Sequence, residues 1–399
     1  MAGTTKRTAQ SPVPTRSPST YTVGQPIITP PKPPVIPPPQ KPTWLSPSVN
    51  LGCDPELFIV NKQGVVVGSE RVLLGGLNVG SDSSIVTDGV QVELHPHPGS
   101  CREGLSFRIQ QCVLDLDTYI KSRPDLKGLR LSFDPMVEVA REELERLSPK
   151  AQTLGCQPSL NIYGHKTKEV NGMEYRKRSA AGHIHLGMDM EPFNLTQLIP
   201  LLDLFVANTC VLFDRDPASR ERRQLYGKAG EYRLPSHGLE YRVLSNFWLR
   251  HYSLMSCVFG LARQAVVILY TAGRGNADGY CVDGYTRMTK DLDTDSLQHA
   301  INENDYDVAK GLYEKHVKPV LMETFSYSGL WSDNVEAFDH FVSKGLSYWF
   351  PPDIDPVVNW QHRYAHTEYE RSQVGWEGFL NGIVTTDMQE SKKGVICPQ

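Results

Sequence analysis

Apolar and polar residues alternate strictly between Val90 and His97, and they fall on two faces: Val90, Val92 and Leu94 on one, Gln91, Glu93, His95 and His97 on the other. A period of two predicts a half-buried strand. Farther along, apolar residues from 109 to 120 recur at a period near 3.6. This spacing predicts an amphipathic helix that ends near Arg123-Pro124.

The same patterns predict the remaining elements. Strands are expected at 57–60, 65–67 and 130–133 and as a pair within 231–243 that turns at 235–238; helices are expected at 137–147, 198–213, 257–272, 305–323 and 335–347. Helices 198–213 and 257–272 are the most apolar, yet short and interrupted by polar residues, so they predict core helices and not membrane spans. Strands and helices are mixed without regular alternation, which favours an α+β fold.

Proline divides the chain. Twelve of its 29 prolines lie between Pro12 and Pro42, which predicts a disordered, Pro-rich tail over residues 1–46. The tail is a spacer, a ligand for an aromatic groove, or a solvated segment without a specific partner. One folded domain is expected over 47–390, with its polar motifs within 50–270 and a helical part at 285–390.

Charge and cysteine content narrow the classes of function. The formal net charge is −4, so composition gives no reason to expect a nucleic-acid or membrane partner. The eight cysteines are scattered without a CxxC pair, which favours buried thiols in a reducing compartment over disulfides or a thiolate zinc site. Residues 1–10 lack the apolar segment of a secretory signal. A cytoplasmic protein is therefore expected.

Polar residues at positions i and i+2 recur in five strand-like segments: Asp54/Glu56, Glu93/His95, His183/His185, Glu231/Arg233 and Glu240/Arg242. Such residues point to the same face of a strand. Any one pair can be the solvated side of an antiparallel sheet. Five pairs of these residue types in one domain favour a functional site.

The side chains in these pairs indicate a particular chemistry. Carboxylates with an imidazole suit Mg²⁺ or Mn²⁺, whereas guanidinium groups suit phosphate and carboxylate oxygens. The candidates are Glu56, Glu93, Glu240, Arg222, Arg223, Arg233, Arg242 and Lys228. Together they indicate phosphoryl chemistry on an acidic substrate. The sequence has neither a Walker A loop nor a GxGxxG fingerprint, so a nucleotide would be held in another way.

Several motifs together resemble the phage-type carboxylate–amine ligases (COOH.NH2 ligase type 2), relatives of glutamine synthetase and gamma-glutamylcysteine synthetase. They are Gly52-Cys53-Asp54-Pro55-Glu56, Glu93 after Asp88-Gly89, the segment AGHIHLG at 181–187, the segment RQLYGKAGEYR at 223–233 and the segment LEYRVLSNFW at 239–248. The resemblance covers roughly residues 50–270. It implies a curved, largely antiparallel sheet of the glutamine synthetase type, with helices packed on its outer face.

The resemblance also implies roles for individual residues. Glu56, Glu93, His183 and Glu240 would hold divalent metals between ATP and the substrate carboxylate. The transferring phosphoryl group would be neutralised by His185, Arg223 and Arg233. Arg242 would orient that group or the substrate carboxylate, and Lys228 is a weaker candidate for phosphate binding. These assignments make ATP and Mg²⁺ (or Mn²⁺) the implied cofactors.

The implied reaction joins a carboxylate to an amine through an acyl phosphate. An amino acid, a peptide or a protein group would fit either substrate. The chain would act in the cytoplasm, that of the host if phage-encoded, and is a possible homo-oligomer. Two other functions stay open: a metal-dependent hydrolase that uses the same carboxylates and histidines, and a non-catalytic, virion-associated binding protein.

Some positions depart from the glutamine synthetase pattern. Asp54 stands where that enzyme has Glu, and Pro55 is typical of a strand end, so Asp54 either binds metal or forms a turn. His95 is either a further ligand or part of a strand exit, and Cys156 is more simply a structural thiol. Asn246 and Trp248 are expected to pack, and His237 to lie in a turn.

Overall fold

A computed structural model describes residues 49–100, 102–153, 159–166, 171–191, 193–272, 285–286, 288–321, 345 and 355–361. All of these residues belong to one compact unit, Thr43–Gln399. The predicted tail 1–46 lies outside the described residues. So do nearly all of the predicted helix 335–347 and Cys156.

The described residues form thirteen strands: β1 Asn50–Cys53, β2 Glu56–Val60, β3 Val66–Val67, β4 Leu77–Val79, β5 Ser83–Asp88, β6 Gln91–His95, β7 Arg130–Ser132, β8 Met136–Glu138, β9 Leu160–Asn161, β10 Lys177–Ser179, β11 Ile184–Gly187, β12 Glu231–Arg233 and β13 Gly238–Tyr241. All of their pairings are antiparallel. Together with the helices they confirm the mixed α+β class.

The α-helices within the described ranges are α1 Arg102–Ser122, α2 Arg141–Leu144, α3 Pro149–Gln152, α4 Leu195–Leu202, α5 Asn208–Phe213, α6 Pro217–Arg223, α7 Tyr252–Ala272, α8 Thr294–Asn302, α9 Tyr306–Leu312 and α10 Pro356–Gln361. Two π-helical turns, Asp203–Ala207 and Tyr313–Val317, follow α4 and α9 directly. Short 3₁₀ turns lie at Ser69–Arg71, Pro124–Leu126 and Asn246–Arg250.

Most of the predicted elements are present, and one is wrong. The expected helix at 137–147 is the strand β8 followed by the short helix α2, because Met136–Glu138 pairs with Lys177–Ser179 of β10. That partner lies some forty positions away in sequence, and tertiary pairing overrides local helical spacing. The expected helix at 198–213 is present as α4, a π turn and α5 in succession.

Helix α4, its π turn and α5 fill the interior. Leu195–Phe213 is long and apolar enough to cross a membrane by length and composition, longer than its sequence pattern predicted, but 78% of its most apolar window is buried inside the protein. Together with α7 and α1 it contributes to one large apolar cluster. It is therefore a core element of this fold, as expected.

A five-stranded sheet, which we term the central sheet, has the strand order β1-β11-β13-β12-β9. Its register places Ile184 opposite Tyr241, and Tyr241 opposite Tyr232, on the face that joins the apolar core. On the other face, His185 lies opposite Glu240, which lies opposite Arg233. Because side chains alternate between the two faces of each strand, a row of polar side chains lies on one face of the central sheet.

A second sheet has the order β3-β2-β6-β5-β4, with β7 also paired to β2. Asp54 and Pro55 connect β1 of the central sheet to β2 of this one, so the chain changes sheets at that point. Glu56 lies directly opposite Glu93 in the β2–β6 register. The junction therefore brings the polar faces of both sheets near Asp54.

Candidate functional site

Four side chains converge above the central sheet, and we term them the histidine cluster: Asp54, His183, His185 and Glu240. One ligand atom from each lies within 4.8 Å of the others. His183 Nδ1 is 3.0 Å from Asp54 Oδ1 and 3.4 Å from Glu240 Oε1. His185 Nε2 is 3.2 Å from Asp54 Oδ2. Three segments distant in sequence therefore supply one compact set of donor atoms.

The donor atoms fit a divalent cation. Asp54 Oδ1, His183 Nδ1 and His185 Nε2 are buried, and none makes a well-aligned hydrogen bond to another of the residues that the structure describes. Buried polar atoms left in this way are costly and uncommon. Two carboxylates and two imidazoles suit Mn²⁺ or Mg²⁺, and no thiolate is present among them. A metal ion would satisfy the three atoms together.

The electrostatics of the cluster support the same interpretation. Burial opposes the ionisation of Asp54, but its contacts with His183 and His185 outweigh burial and hold its pKa well below the ordinary value. Burial lowers the pKa of His183 although the Asp54 charge acts in the opposite direction. For Asp54 and His183, an ionised carboxylate beside a neutral imidazole is the state in which both side chains bind metal. At His185, burial lowers the pKa but the contact with Asp54 outweighs it and raises the pKa, so a cation would compete with a proton there.

Glu56, Glu93 and Asp88 form a second set, which we term the acidic group. Burial raises the pKa of Glu56 to about 8, with a further contribution from the charge of Asp88. Burial also raises the pKa of Glu93 and that of Asp88, and the Asp54 charge adds to both. The acidic group therefore lies within electrostatic reach of the histidine cluster.

The side chains of the acidic group have few partners. Glu56 accepts a 2.8 Å hydrogen bond from the backbone N–H of Ala181, two residues before His183. Glu93 lies 3.2 Å from His95. The structure describes no Lys or Arg that forms an ion pair with Glu56 or Glu93. His95 is thus a neighbour of the acidic group, and the histidine cluster does not include it.

Arg242 is fully buried and connects the cluster to its surroundings. Its guanidinium contacts the Glu240 carboxylate and the Tyr226 hydroxyl, and its Nε donates to Ser159 Oγ at 3.0 Å. Arg233, more exposed, has Nη1 3.7 Å from Glu240 Oε1. Both arginines therefore lie beside the cluster, as the sequence pattern predicts.

Arg223 and Lys228, by contrast, have other surroundings. Buried Arg223 donates to Asn304 Oδ1 at 2.7 Å, and burial lowers its pKa to about 10 despite the nearby Asp214. Lys228 is half-buried, and its backbone N–H donates to Glu231. No contact among the described residues joins either side chain to the histidine cluster. Their phosphate-binding roles stay predictions.

Tyr226 and His237 are the site residues that sequence reasoning missed. The Tyr226 hydroxyl contacts both His183 Nε2 and Arg242. His237 lies in the β12–β13 turn, as predicted, with Nε2 3.2 Å from His185 Nδ1. Tyr226 belongs to a quoted motif, and His237 to a short turn between two site strands. Only tertiary contacts identify them as neighbours of the histidines.

Packing residues fix the strands that carry the cluster. A Cβ at Gly182 would lie 2.5 Å from Ser245 O and from Trp248 Nε1, so only glycine allows this approach just before His183. Trp248 Nε1 donates to Gly182 O at 3.2 Å, and Asn246 Nδ2 donates to Glu56 O at 2.9 Å. Asn246 and Trp248 are buried, as predicted, and they hold the backbone of the site.

Four cysteines within the described residues are free and buried: Cys53, Cys112, Cys210 and Cys257. Burial raises the pKa of each thiol. Thiolate chemistry is therefore disfavoured at these four positions.

Residues 166–273 match the model of the phage phiEco32-like COOH.NH2 ligase-type 2 family. The resemblance to carboxylate–amine ligases is confirmed. The match contains His183, His185, Glu240, Arg233 and Arg242, while Asp54 and the acidic group precede it. No curated protein matches the chain.

Among solved structures, the chain is similar to the bifunctional glutathione synthetase from Pasteurella multocida, with 12% identity and a TM-score of 0.39. The similarity covers 86% of this chain and 52% of that one, so this chain spans about half of its length. At that TM-score the likeness shows neither the fold nor the function of this chain.

Proposed function

We propose that the chain is an ATP-dependent carboxylate–amine ligase whose active site is the polar face of the central sheet. The observation that carries the proposal is the convergence of Asp54, His183, His185 and Glu240, because the last three of these residues lie in the segment 166–273 that matches a ligase family. The fold is proposed to be of the glutamine synthetase type, since an antiparallel sheet presents the polar row and helices cover its other face.

In the proposed reaction, an oxygen of the substrate carboxylate attacks the γ-phosphorus of ATP, and the bond to ADP breaks. The product is an acyl phosphate. The amine nitrogen then attacks the acyl carbon, phosphate leaves from the tetrahedral intermediate, and the nitrogen loses its proton to solvent. Each step places negative charge on phosphoryl or acyl oxygens, so positioning and charge neutralisation would lower the barrier.

The surroundings of each residue indicate its role in this reaction. The histidine cluster would hold Mg²⁺ or Mn²⁺, which when bound neutralises phosphate charge and fixes its orientation. Arg233 is the more exposed of the two arginines beside the cluster, so it is the better placed to reach a phosphoryl oxygen. Arg242 is enclosed by Glu240, Tyr226 and Ser159, and would orient the site from within.

The test is a condensation assay with Mg²⁺-ATP and pairs of carboxylate and amine compounds, amino acids and short peptides first. We expect ADP release only when both partners are present, and a product whose mass equals the two substrates less one water. With an ¹⁸O-labelled carboxylate, one labelled oxygen should appear in the released phosphate. Unlabelled phosphate would contradict the acyl phosphate, and hydrolysis without condensation would favour the hydrolase.

A further inference from the structure

Each histidine of the cluster directs one ring nitrogen into the cluster and the other toward an outer side chain. His183 has Nδ1 beside Asp54 and Glu240, while its Nε2 contacts the Tyr226 hydroxyl. His185 has Nε2 beside Asp54, while its Nδ1 lies 3.2 Å from His237 Nε2. An imidazole binds a cation only through a nitrogen without a proton, so the outer contact determines which nitrogen is available.

The contacts of Tyr226 restrict what its hydroxyl can do. The guanidinium of Arg242 is only a donor, so the Tyr226 oxygen must accept from it. The same oxygen has a second lone pair to accept an N–H from His183 Nε2. With the proton on Nε2, the Nδ1 lone pair of His183 faces Asp54 and Glu240.

The fold holds Tyr226 in this place. Gly227 follows it with φ of +77°, and a Cβ there would lie 2.0 Å from Arg222 Nη1. The Arg222 guanidinium fills that space, donates to Val243 O at 2.8 Å and to Leu244 O at 2.9 Å, and lies over the Tyr226 ring. The ring thus lies against two buried guanidinium groups, those of Arg222 and Arg242.

His237 contacts the outer ring nitrogen of His185, as Tyr226 contacts the outer ring nitrogen of His183. Their rings are nearly parallel, at 15°, with centroids 5.2 Å apart. A proton on His185 Nδ1 is directed at His237 Nε2 and leaves the Nε2 lone pair of His185 toward Asp54. His237 is itself exposed, in the turn between β12 and β13, so its replacement leaves the core unchanged.

We propose that Tyr226 and His237 are positioning residues that fix the tautomer and ring orientation of His183 and His185, so that both histidines present lone pairs to one divalent cation. This inference rests on the proposed metal-dependent function. It adds two residues, one inside a ligase motif and one in a turn, that do not themselves contact the cation.

The experiment measures Mn²⁺ affinity by electron paramagnetic resonance of the free ion, with the full chain and without substrates. Loss of such an outer partner costs about 10-fold to 100-fold in metal affinity. Tyr226→Phe and His237→Leu should each weaken Mn²⁺ binding by about 10-fold or more. His237→Gln keeps an acceptor oxygen in reach of His185 and should bind close to wild type.

Matched control variants separate a loss of histidine positioning from a general loss of stability. Tyr119→Phe removes a half-buried hydroxyl whose described contacts, with Val72 O and Arg123, do not involve the cluster. His299→Leu removes an exposed imidazole beside Asp305. Both should bind Mn²⁺ as wild type does, and thermal unfolding in chelator should be similar for His237→Leu and His299→Leu.

The outcomes separate the inference from the proposed function. Wild-type affinity in both Tyr226→Phe and His237→Leu would overturn the inference and leave the ligase proposal intact. Failure of wild type to bind Mn²⁺ would overturn the proposed cation site, and this inference with it. If Tyr226→Phe does not fold, the His237→Leu and His237→Gln pair decides alone.

Discussion

The histidine cluster and the acidic group contain carboxylates whose pKa values shift in opposite directions. Asp54, beside two imidazoles, has its pKa pushed well below the ordinary value. Glu56, beside Asp88 and Glu93, has its pKa raised to about 8. The difference arises from the neighbours, because burial raises the pKa in both places. In the first set the two imidazoles favour the charged carboxylate, whereas in the second burial and the neighbouring acids outweigh the opposing charges of Lys150 and His95.

The largest effect is expected from a substitution of Glu240, which belongs to the histidine cluster and also pairs with Arg242. Glu240→Gln removes a cluster ligand and the carboxylate that pairs with buried Arg242. Turnover in the condensation assay should be abolished, and thermal unfolding should show a loss on the order of 3 kcal/mol, because buried Arg242 loses the carboxylate that its guanidinium contacts. Full activity would contradict the site assignment.

A matched control for Glu240 is Glu221→Gln. Glu221 forms an ion pair with Lys177 in which both side chains are about 40% exposed, at 42% and 39%. Such pairs contribute about 0–1 kcal/mol. The control should therefore retain activity and nearly all of its stability.

A smaller effect, on Mn²⁺ affinity alone, is expected to distinguish the histidine cluster from the acidic group. Asp54→Asn removes a charge from among the cluster donors, whereas Asp88→Asn removes one that lies outside them. Asp54→Asn should weaken Mn²⁺ affinity by about 10-fold or more, and Asp88→Asn by less. Mn²⁺ titration followed by paramagnetic resonance measures both. The reverse order would move the principal cation site to the acidic group.

The pH dependence of stability tests the state of the acidic group directly. The folded pKa of Glu56, about 8, exceeds the unfolded value of 4.5, so the folded state retains a proton between these values. Unfolding free energy should therefore fall as pH rises from about 4.5 to 8, by a few kcal/mol. Glu56→Gln should remove this component, because a neutral amide replaces the acid.

The measurement is denaturant unfolding in chelator across that pH range. Glu142→Gln is the matched control, since Glu142 is exposed and lies outside both sets. An identical pH profile in wild type and Glu56→Gln would show that Glu56 is already ionised near neutral pH. The contrast between the two sets would then be lost.

The smallest effect is expected from removal of residues 1–46. Every residue of the histidine cluster and of the acidic group lies after this segment. Deletion should leave condensation rates and Mn²⁺ affinity unchanged, as measured in the same two assays. A marked loss in either would place part of the site in the tail.

Strand periodicity alone predicts much of the site. Alternation places His183 and His185 on one face, and likewise Glu240 and Arg242, and the structure brings these strands together. It does not predict the part played by Asp54, because Asp54 lies at the junction of two sheets, where Pro55 makes a turn equally plausible.

Contacts between segments explain what the sequence does not predict. Tyr226 and His237 reach the histidines across the sheet and from a turn, and no spacing along the chain encodes either contact. The helix expected at 137–147 is replaced in part by β8 for a similar reason, since its partner β10 lies far along the chain. Arg223 contacts Asn304, in a loop that the motifs do not include.

The most direct test of the proposed cation site is a crystal structure of the chain with Mn²⁺, with anomalous diffraction to locate the ion. We expect a peak at bonding distance from His183 Nδ1, His185 Nε2 and the carboxylates of Asp54 and Glu240. A peak bound only by Glu56 and Glu93, or no peak near His183 at saturating Mn²⁺, would contradict the account.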